Sequence, residues 1–379
     1  MQLLINILVT LIVFAFLIMA HEAGHFFMAK LFKVQVNEFS LGMGPVIWKF
    51  NRKNDETTYC LRLFPIGGFV QMAGEAVDLD ENIPKEKRMQ SKTWMQRFLT
   101  VIAGVMFNFL LALVIFFGIG LISGTDDQKA YIASIDETFN VANTSLEIGD
   151  EILEINGTNT WSYNKALLVL TVEDGKDVVL TVKHTDDTVE DILVKATPVT
   201  EVKDEDGNLI GYEKTDEVND ETIYKYGIAI NPKLTSVKNN SFGNILKNIW
   251  SSIVYTFTLT LSLIDQMIYT LVYLITGKLK LTSLSGPVGI YQVVGESAKY
   301  GFINVIYLIG YICINVGFIN LIPLPAFDGG RVLFMIIEVI KGKPVSPKVE
   351  NTIHAIGLIL LMILMVVITF NDIVRIFFS

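Results

Sequence analysis

Charge is scarce in this 379-residue chain. Asp, Glu, Lys and Arg make up 18% of it, against about a quarter in soluble globular proteins, while 51% is hydrophobic and the mean hydropathy is +0.47. These values exclude a wholly soluble fold and point to a membrane protein carrying a soluble part. Cysteine is nearly absent. Cys60 and Cys313 lie far apart in different kinds of segment, so they build neither a disulfide framework nor a cysteine zinc site. No Lys or Arg precedes the first apolar run, and no A-x-A-like site ends it, which argues against a cleaved signal peptide. The first positive charges, Lys30 and Lys33, follow the run, the pattern of a signal anchor with its N-terminus outside.

Long apolar sequence is what the chain does have. Three uncharged stretches, 1–20, 98–125 and 300–327, are long enough to span about 30 Å of hydrocarbon. A fourth, 351–371, is interrupted by His354, and a fifth, 248–277, by Asp265. Residues 33–97 carry ten Lys/Arg against eight acids, and 331–350 add Arg331, Lys341, Lys343 and Lys348. Residues 124–242 instead hold ten Lys, no Arg and 24 Asp/Glu. The positive-inside rule therefore puts 33–97 and 331–350 in the cytoplasm and the acidic module outside.

Two soluble segments have β character. TTYCLRLFPIGGFVQMAGE (57–75) alternates apolar and polar residues around Pro65-Ile66-Gly67-Gly68, as a β-hairpin or edge strand does. In the acidic module, SLEIGDEILEINGT (145–158) is followed by the strand-like DVVLTVKH and EDILVKATPV. Its Gly149-Asp150 and Asn156-Gly157 resemble the signature of a PDZ domain. An ordinary β-domain with an Asn-Gly turn is the plainer alternative. Residues 201–222, acidic and poor in large apolar groups, read as a flexible insertion.

HEAGH (21–25) closes the first apolar run. His21 and His25, at i and i+4, share one helical face, so both imidazoles can reach one metal ion. Glu22 lies beside them, able to take a proton from water rather than to ligate. With four His in the chain, chance alone rarely produces this spacing. A catalytic zinc also needs a third protein ligand and one open position. Leu31 stands where an extended metzincin motif has its third His, and His184 and His354 lie in the outer module and the last apolar segment. Glu38, Glu56 and Glu75 are near enough in sequence but belong to a loop beneath the membrane. Asp328, in NLIPLPAFDGG (320–330), is a carboxylate in an apolar setting whose backbone Pro323 and Pro325 disrupt. Topology selects it. If 248–277 does not cross the membrane, 302–322 runs inward and Asp328 meets the two histidines. Residues 321–327 are then expected to be extended, with Gly329-Gly330 turning the chain into the next helix.

HEAGH on one span and NLIPLPAFDGG on a later one resemble the site-2 intramembrane zinc metalloproteases, within them the bacterial regulator of sigma-E protease group. FPIGGFVQMAGE, SGPVGI (285–290) and ITFNDIVRIF (368–377) extend the resemblance over nearly the whole length. Enteric members carry two tandem PDZ domains, whereas this chain has room for one. The resemblance implies that His21, His25 and Asp328 bind Zn2+ and that Glu22 is the general base. It also implies that Asn320 holds substrate backbone or the oxyanion, and that Gly67 and Gly68 pair with an unwound substrate. Gly286-Pro287 match a family motif whose chemistry is not evident from the residues.

The expected fold is an α-helical polytopic membrane protein with about four transmembrane helices, an inserted extracytoplasmic PDZ-like domain and a small cytoplasmic β-hairpin region. Its expected segments are 1–32 (first span with HEAGH), 33–97 (cytoplasmic loop), 98–123 (second span), 124–235 (PDZ-like domain), 236–299 (extracytoplasmic or interfacial helices), 300–340 (third span with NLIPLPAFDGG) and 341–379 (loop and fourth span). The expected place is the bacterial cytoplasmic (inner) membrane, with the active site near its cytoplasmic face. Expected partners are the lipid bilayer and single-span membrane substrates, either anti-sigma factor-like proteins or remnant signal peptides, and not nucleic acid. A PDZ-bearing scaffold with a structural metal site is the alternative; it would need a fourth ligand. A zinc transporter would repeat ligands along several spans.

Overall fold

The computed structural model describes the chain apart from residues 1, 54, 75–81, 174, 204–208, 216–222, 237–241, 281–283, 344 and 379. In chain order, α1 (Gln2–Leu31), β1 (Val36–Asn51), β2 (Thr58–Met72) and α2 (Trp94–Ser123) lead into a β-rich segment. That segment holds β3 (Thr125–Asp126), β4 (Tyr131–Ile135), β5 (Glu151–Ile155), β6 (Thr158–Asn159) and α3 (Tyr163–Val172). It continues with β7 (Val178–Lys183), β8 (Val189–Val194), β9 (Thr197–Lys203), β10 (Leu209–Lys214), β11 (Ile223–Lys225), β12 (Ile228–Asn231) and β13 (Leu234–Ser236). Five helices end the chain: α4 (Phe242–Ile275), α5 (Pro287–Lys299), α6 (Phe302–Leu321), α7 (Asp328–Lys341) and α8 (Pro347–Phe378). Two compact units result, residues 1–116 with 281–379 and residues 117–280.

In the first unit α1, α2, α6 and α8 are apolar on nearly every face, as helices surrounded by hydrocarbon and one another must be. Beneath them Val34, Val36, Val70, Met72, Val101 and Met335 close a common core. The hairpin expected around 57–75 is present and is folded back on itself. β1 and β2 are joined through 52–57 and meet three times: Trp48↔Leu61 to Asn51↔Thr58, Glu38↔Thr58 to Leu41↔Leu61, and Val36↔Met72 to Leu41↔Gly68. Leu41 thus has both Leu61 and Gly68 as partners, and β2 bends back between them, around Pro65-Ile66-Gly67. Register shifts separate these stretches, because Gly42, Gly44 and Gly67 adopt positive φ and bend the strands. Lys30 at the end of α1 donates to Asp55 at 2.8 Å, tying the turn to the helix. That bond outweighs partial burial and holds the Asp55 carboxyl down to about 2.

SGPVGI and ITFNDIVRIF meet in this unit. Asp372, on α8 and 1% exposed, accepts hydrogen bonds from the backbone N–H groups of Gly286 (2.9 Å) and Gly289 (2.8 Å) at the start of α5. Two of the orphan donors at that helix end are thereby satisfied without water. Pro287 takes the first helical position, where its missing N–H is no loss. A Cβ on Gly286 would lie 2.8 Å from Ile368 Cγ2 and 2.9 Å from Asp372 Oδ2, so the close approach requires glycine.

The second unit is built on a sheet of order β12-β4-β5-β7-β8, with β6 on β5. Ile132, Ile152, Ile155, Val178, Leu180 and Val182 alternate into one core. Asn156 (φ +49) and Gly157 (φ +72) form the expected turn between β5 and β6. Gly149 is at φ +101, and the buried Asp150 accepts from His184 Nδ1 at 2.9 Å and from Glu147 N–H at 2.8 Å. The segment read as a flexible insertion is partly ordered. Residues 197–203 and 209–214 pair as β9 and β10, with β11 on the other side of β9. The alternation that makes them strands is short and mostly polar, and so is weak in the sequence; 204–208 and 216–222 lie outside the described residues.

Among the described residues, five helices are long and apolar enough to cross a membrane, one for each apolar stretch of the sequence. The one interrupted by Asp265, Ile245–Ile275, has a mean hydropathy of 1.4, against 2.0 to 2.8 for the others. Its inward face carries Ser252, Thr256 and Ser262, and its Asp265 accepts from Trp161 Nε1 at 2.9 Å and pairs with the buried Lys165 at 3.4 Å. Asn164 donates to Ser262 at 2.9 Å. The charge that interrupts this helix is thus engaged with α3.

Candidate active site

HEAGH occupies the C-terminal third of α1, where the i, i+4 spacing sets His21 Nε2 and His25 Nε2 3.3 Å apart. The chain reaches them again some 300 residues later. Pro323 and Pro325 end α6, and residues 322–327 fold back in turns rather than running extended. Leu324 N–H donates to Ile322 at 2.7 Å and Phe327 N–H to Leu324 at 3.3 Å. Ala326 takes φ +80, a left-handed conformation costing a non-glycine residue about 1 kcal/mol. Asp328 then opens α7, with Gly329 and Gly330 inside its first turn instead of before it. A Cβ on Gly329 would lie 2.3 Å from Ile322 O, and one on Gly330 2.4 Å from Leu324 O, so these glycines let the helix pack onto the loop carbonyls.

Asp328 Oδ2 lies 3.2 Å from His21 Nε2 and 3.3 Å from His25 Nε2. His21, His25 and Asp328 are the group able to hold a metal ion among the described residues. Four ligands around zinc at about 2.0–2.1 Å stand about 3.3–3.4 Å apart, so this triangle fits three corners of a tetrahedron. The protonation pattern agrees. His25 Nδ1 donates to the Thr100 carbonyl at 2.9 Å, which leaves Nε2 as a lone pair facing a carboxylate oxygen. Asn108 lies 3.3 Å from His21 Nδ1, while its own Oδ1 is buried without a partner. Turning that amide over lets Oδ1 accept from His21 Nδ1–H and frees the second Nε2 in the same way. Asp328 Oδ2 is itself buried without a conventional hydrogen bond. Converging lone pairs of this kind call for a cation.

The α1–α2 contact makes room for the triangle. A Cβ on Gly24 would fall 2.3 Å from Ala103 O, and one on Gly104 2.3 Å from His25 Nε2 and 2.8 Å from His21 Cε1. Thr100, Gly104 and Asn108, spaced four apart, form one face of α2 that serves both histidines. This face escaped the sequence reading; three small or polar residues at i, i+4, i+8 in an apolar run were its one visible signal.

A cavity of about 400 Å³ opens on the cluster, lined among others by Glu22, Gly68, Asn320, Arg331 and His354. Gly68 comes close to Glu22: a Cβ there would lie 3.2 Å from Glu22 Cγ and 2.7 Å from Ile18 Cγ2. Gly67 points instead toward Met43. The other candidate ligands are engaged elsewhere. Glu38 accepts from Arg62 at 2.7 Å, and Glu56 pairs with Lys87 at 2.8 Å. His184 belongs to the other unit. Glu75 lies outside the described residues.

The profile of peptidase family M50 matches residues 9–364. The regulator of sigma-W protease RasP of Bacillus subtilis is 29% identical, over 98% of this chain and 99% of its own. A putative zinc metalloprotease of Fusobacterium nucleatum is 33% identical over 98% and 99%, and one of Clostridium perfringens 32% over 97% and 98%.

Proposed function

Because this chain belongs to peptidase family M50 and is a multi-pass membrane zinc metalloprotease of the site-2 type, we propose that it cleaves peptide bonds within or near the transmembrane segments of single-span proteins. The observation that carries this reading is the triangle of His21 Nε2, His25 Nε2 and Asp328 Oδ2 beside Glu22 in an apolar bundle. His21, His25 and Asp328 would hold the zinc. When bound, zinc supplies a Lewis acid that makes water a competent nucleophile near neutral pH. Glu22 takes the proton of that water and passes it to the leaving amine. Thr100 and Asn108 fix the imidazoles with their Nε2 atoms inward. Three protein ligands and no fourth among the described residues favour this open site over a closed structural one.

A buried helical substrate must unwind before its backbone is reachable, and its amides then need partners. The Gly67-Gly68 stretch of β2, beside Glu22, offers them by strand addition, with Asn320 across the cavity holding a carbonyl. Anti-sigma factor-like proteins and remnant signal peptides are the substrate classes that fit a single-span target. Residues 124–235 act as a PDZ-like module outside the membrane. Its support is the Gly149-Asp150 and Asn156-Gly157 turns on an antiparallel sheet with α3.

Topology follows from the site. Asp328 follows the C-terminal end of α6 and meets the C-terminal third of α1, so α1 and α6 enter the membrane from the same side. An even number of crossings then separates α2 from α6. Since α5 has 13 residues and is too short to span, α4 stays out of the count and four helices cross. The test is Glu22→Gln in detergent-solubilised full-length protein. Zinc content should remain at one per chain while cleavage of a membrane-spanning reporter falls by about 10²–10⁴-fold; retained turnover refutes the mechanism.

A further inference from the structure

Asp328 does not hold its own position. The loop that carries it is interrupted by two prolines, contains the left-handed Ala326, and closes on the 3.3 Å bond from Phe327 N–H to Leu324 O. Support comes from α8. His354 Nδ1 accepts a hydrogen bond from Ala326 N–H at 3.1 Å, two residues before Asp328. One turn further on the same face, α8 presses its backbone against the loop: a Cβ on Gly357 would lie 2.3 Å from Pro325 Cβ, 2.8 Å from Pro325 C and 2.9 Å from Pro325 O. His354 Cε1 also closes over the first turn of α7, where a Cβ on Gly330 would stand 3.3 Å from it.

The state of the imidazole is set by the bond it accepts. With Nδ1 accepting the hydrogen bond from Ala326 N–H, the neutral ring carries its own hydrogen on Nε2. That Nε2 is buried without a partner. An orphan donor is unfavourable in an apolar setting, and an apolar side chain of similar size would relieve it. The acceptor at Nδ1 is the feature of His354 that such a side chain could not reproduce.

We propose that His354 and Gly357 form a clamp on α8 that holds the Pro323–Phe327 loop, and through it sets Asp328 at the corner of the ligand triangle. Both are positioning residues. The inference rests on Asp328 being a zinc ligand, and it adds the source of that ligand's geometry. Removing a supporting partner of a metal ligand typically lowers metal affinity by about 10- to 100-fold.

The isosteres His354→Asn and His354→Gln separate the two ring nitrogens. Asn sets an oxygen where Nδ1 stands and keeps the acceptor; Gln reaches the Nε2 position and loses it. Zinc affinity is measured on full-length protein in detergent by competition with a fluorescent zinc chelator, alongside reporter cleavage. His354→Asn should bind zinc as the parent does, whereas His354→Gln and His354→Leu should bind it about 10- to 100-fold more weakly. Gly357→Ala should weaken it as well, by displacing Pro325. The reverse order, Gln competent and Asn defective, would overturn the clamp by placing the function at Nε2. Parental affinity in both His354→Gln and Gly357→Ala overturns it too. Asp328→Asn is the control: if that variant retains zinc, the ligand reading itself fails. If it loses zinc while His354→Gln does not, the clamp alone fails. Far-ultraviolet circular dichroism and monodisperse elution confirm that each variant is folded.

Discussion

Gly104→Ala tests the ligand geometry without touching a ligand. The added methyl would sit 2.3 Å from His25 Nε2 and 2.8 Å from both His21 Cε1 and His25 Cε1, where ordinary contact begins at 3.4 Å. Relief requires a movement of about 1 Å, by the imidazoles or by α2. The α1–α2 contact leaves little room for the second, because Gly24 already faces Ala103 O with a Cβ distance of 2.3 Å. A misplacement of about 1 Å at reacting groups can lower the rate about 10²-fold. Zinc affinity should fall alongside it, since both Nε2 atoms leave the triangle. Helix propensity acts in the opposite direction, Ala being favoured over Gly by about 1 kcal/mol, so loss of activity from unfolding is not expected. Gly118→Ala is the matched control on the same helix, with nothing within 4 Å of its Cβ. Chelator competition and cleavage of a membrane reporter are compared for both variants. Parental zinc affinity and turnover in Gly104→Ala would refute the packing argument.

Other consequences are equally direct. Asp372→Ala should strip the buried Gly286 and Gly289 N–H groups of their acceptor and destabilise the α5–α8 junction by about 2–4 kcal/mol, read as a lower thermal midpoint in detergent. Asp265→Ala should leave the Lys165 ammonium, 5% exposed, without its carboxylate, costing about 2–3 kcal/mol; limited proteolysis of residues 117–280 in the full chain reports it. His184 titrates above its usual 6.5: partial burial opposes the proton, but Asp150 and Glu190 outweigh it. Its contribution to stability is therefore complete below pH 6.5 and disappears as pH rises through the folded value. An NMR titration placing His184 at or below 6.5 contradicts this.

Local physics made much of the site readable in the sequence. HEAGH declares itself because helical periodicity alone brings i and i+4 together. Asn156-Gly157 does so because a tight turn demands positive φ. The hairpin was harder. Pro65-Ile66-Gly67-Gly68 has turn composition, and β2 does bend back there, but the link between the two strands lies at 52–57 and Gly68 already pairs with Leu41 while admitting Glu22 and Ile18 at close range. Composition indicates where the backbone is permissive; pairing decides how far the strands on either side of each bend extend. The insertion at 201–222 was underestimated for the converse reason, since polar strands owe their order to the neighbour they pair with.

By itself, then, the sequence determined the apolar segments, the two histidines with their neighbouring glutamate, and the broken backbone before Asp328. Their period, length and composition act within one or two helical turns. Topology read from the sequence already nominated Asp328; tertiary structure set its Oδ2 at 3.2 Å and 3.3 Å from the two Nε2 atoms. It also decided that Thr100 and Asn108, 75 and 87 residues from their imidazole partners, orient both rings, and that Gly104 leaves them space. It brought Ala326 under His354 and Gly286 onto Asp372. Such pairs depend on the rotation and depth at which apolar helices pack, and an all-round apolar helix encodes neither in its pattern.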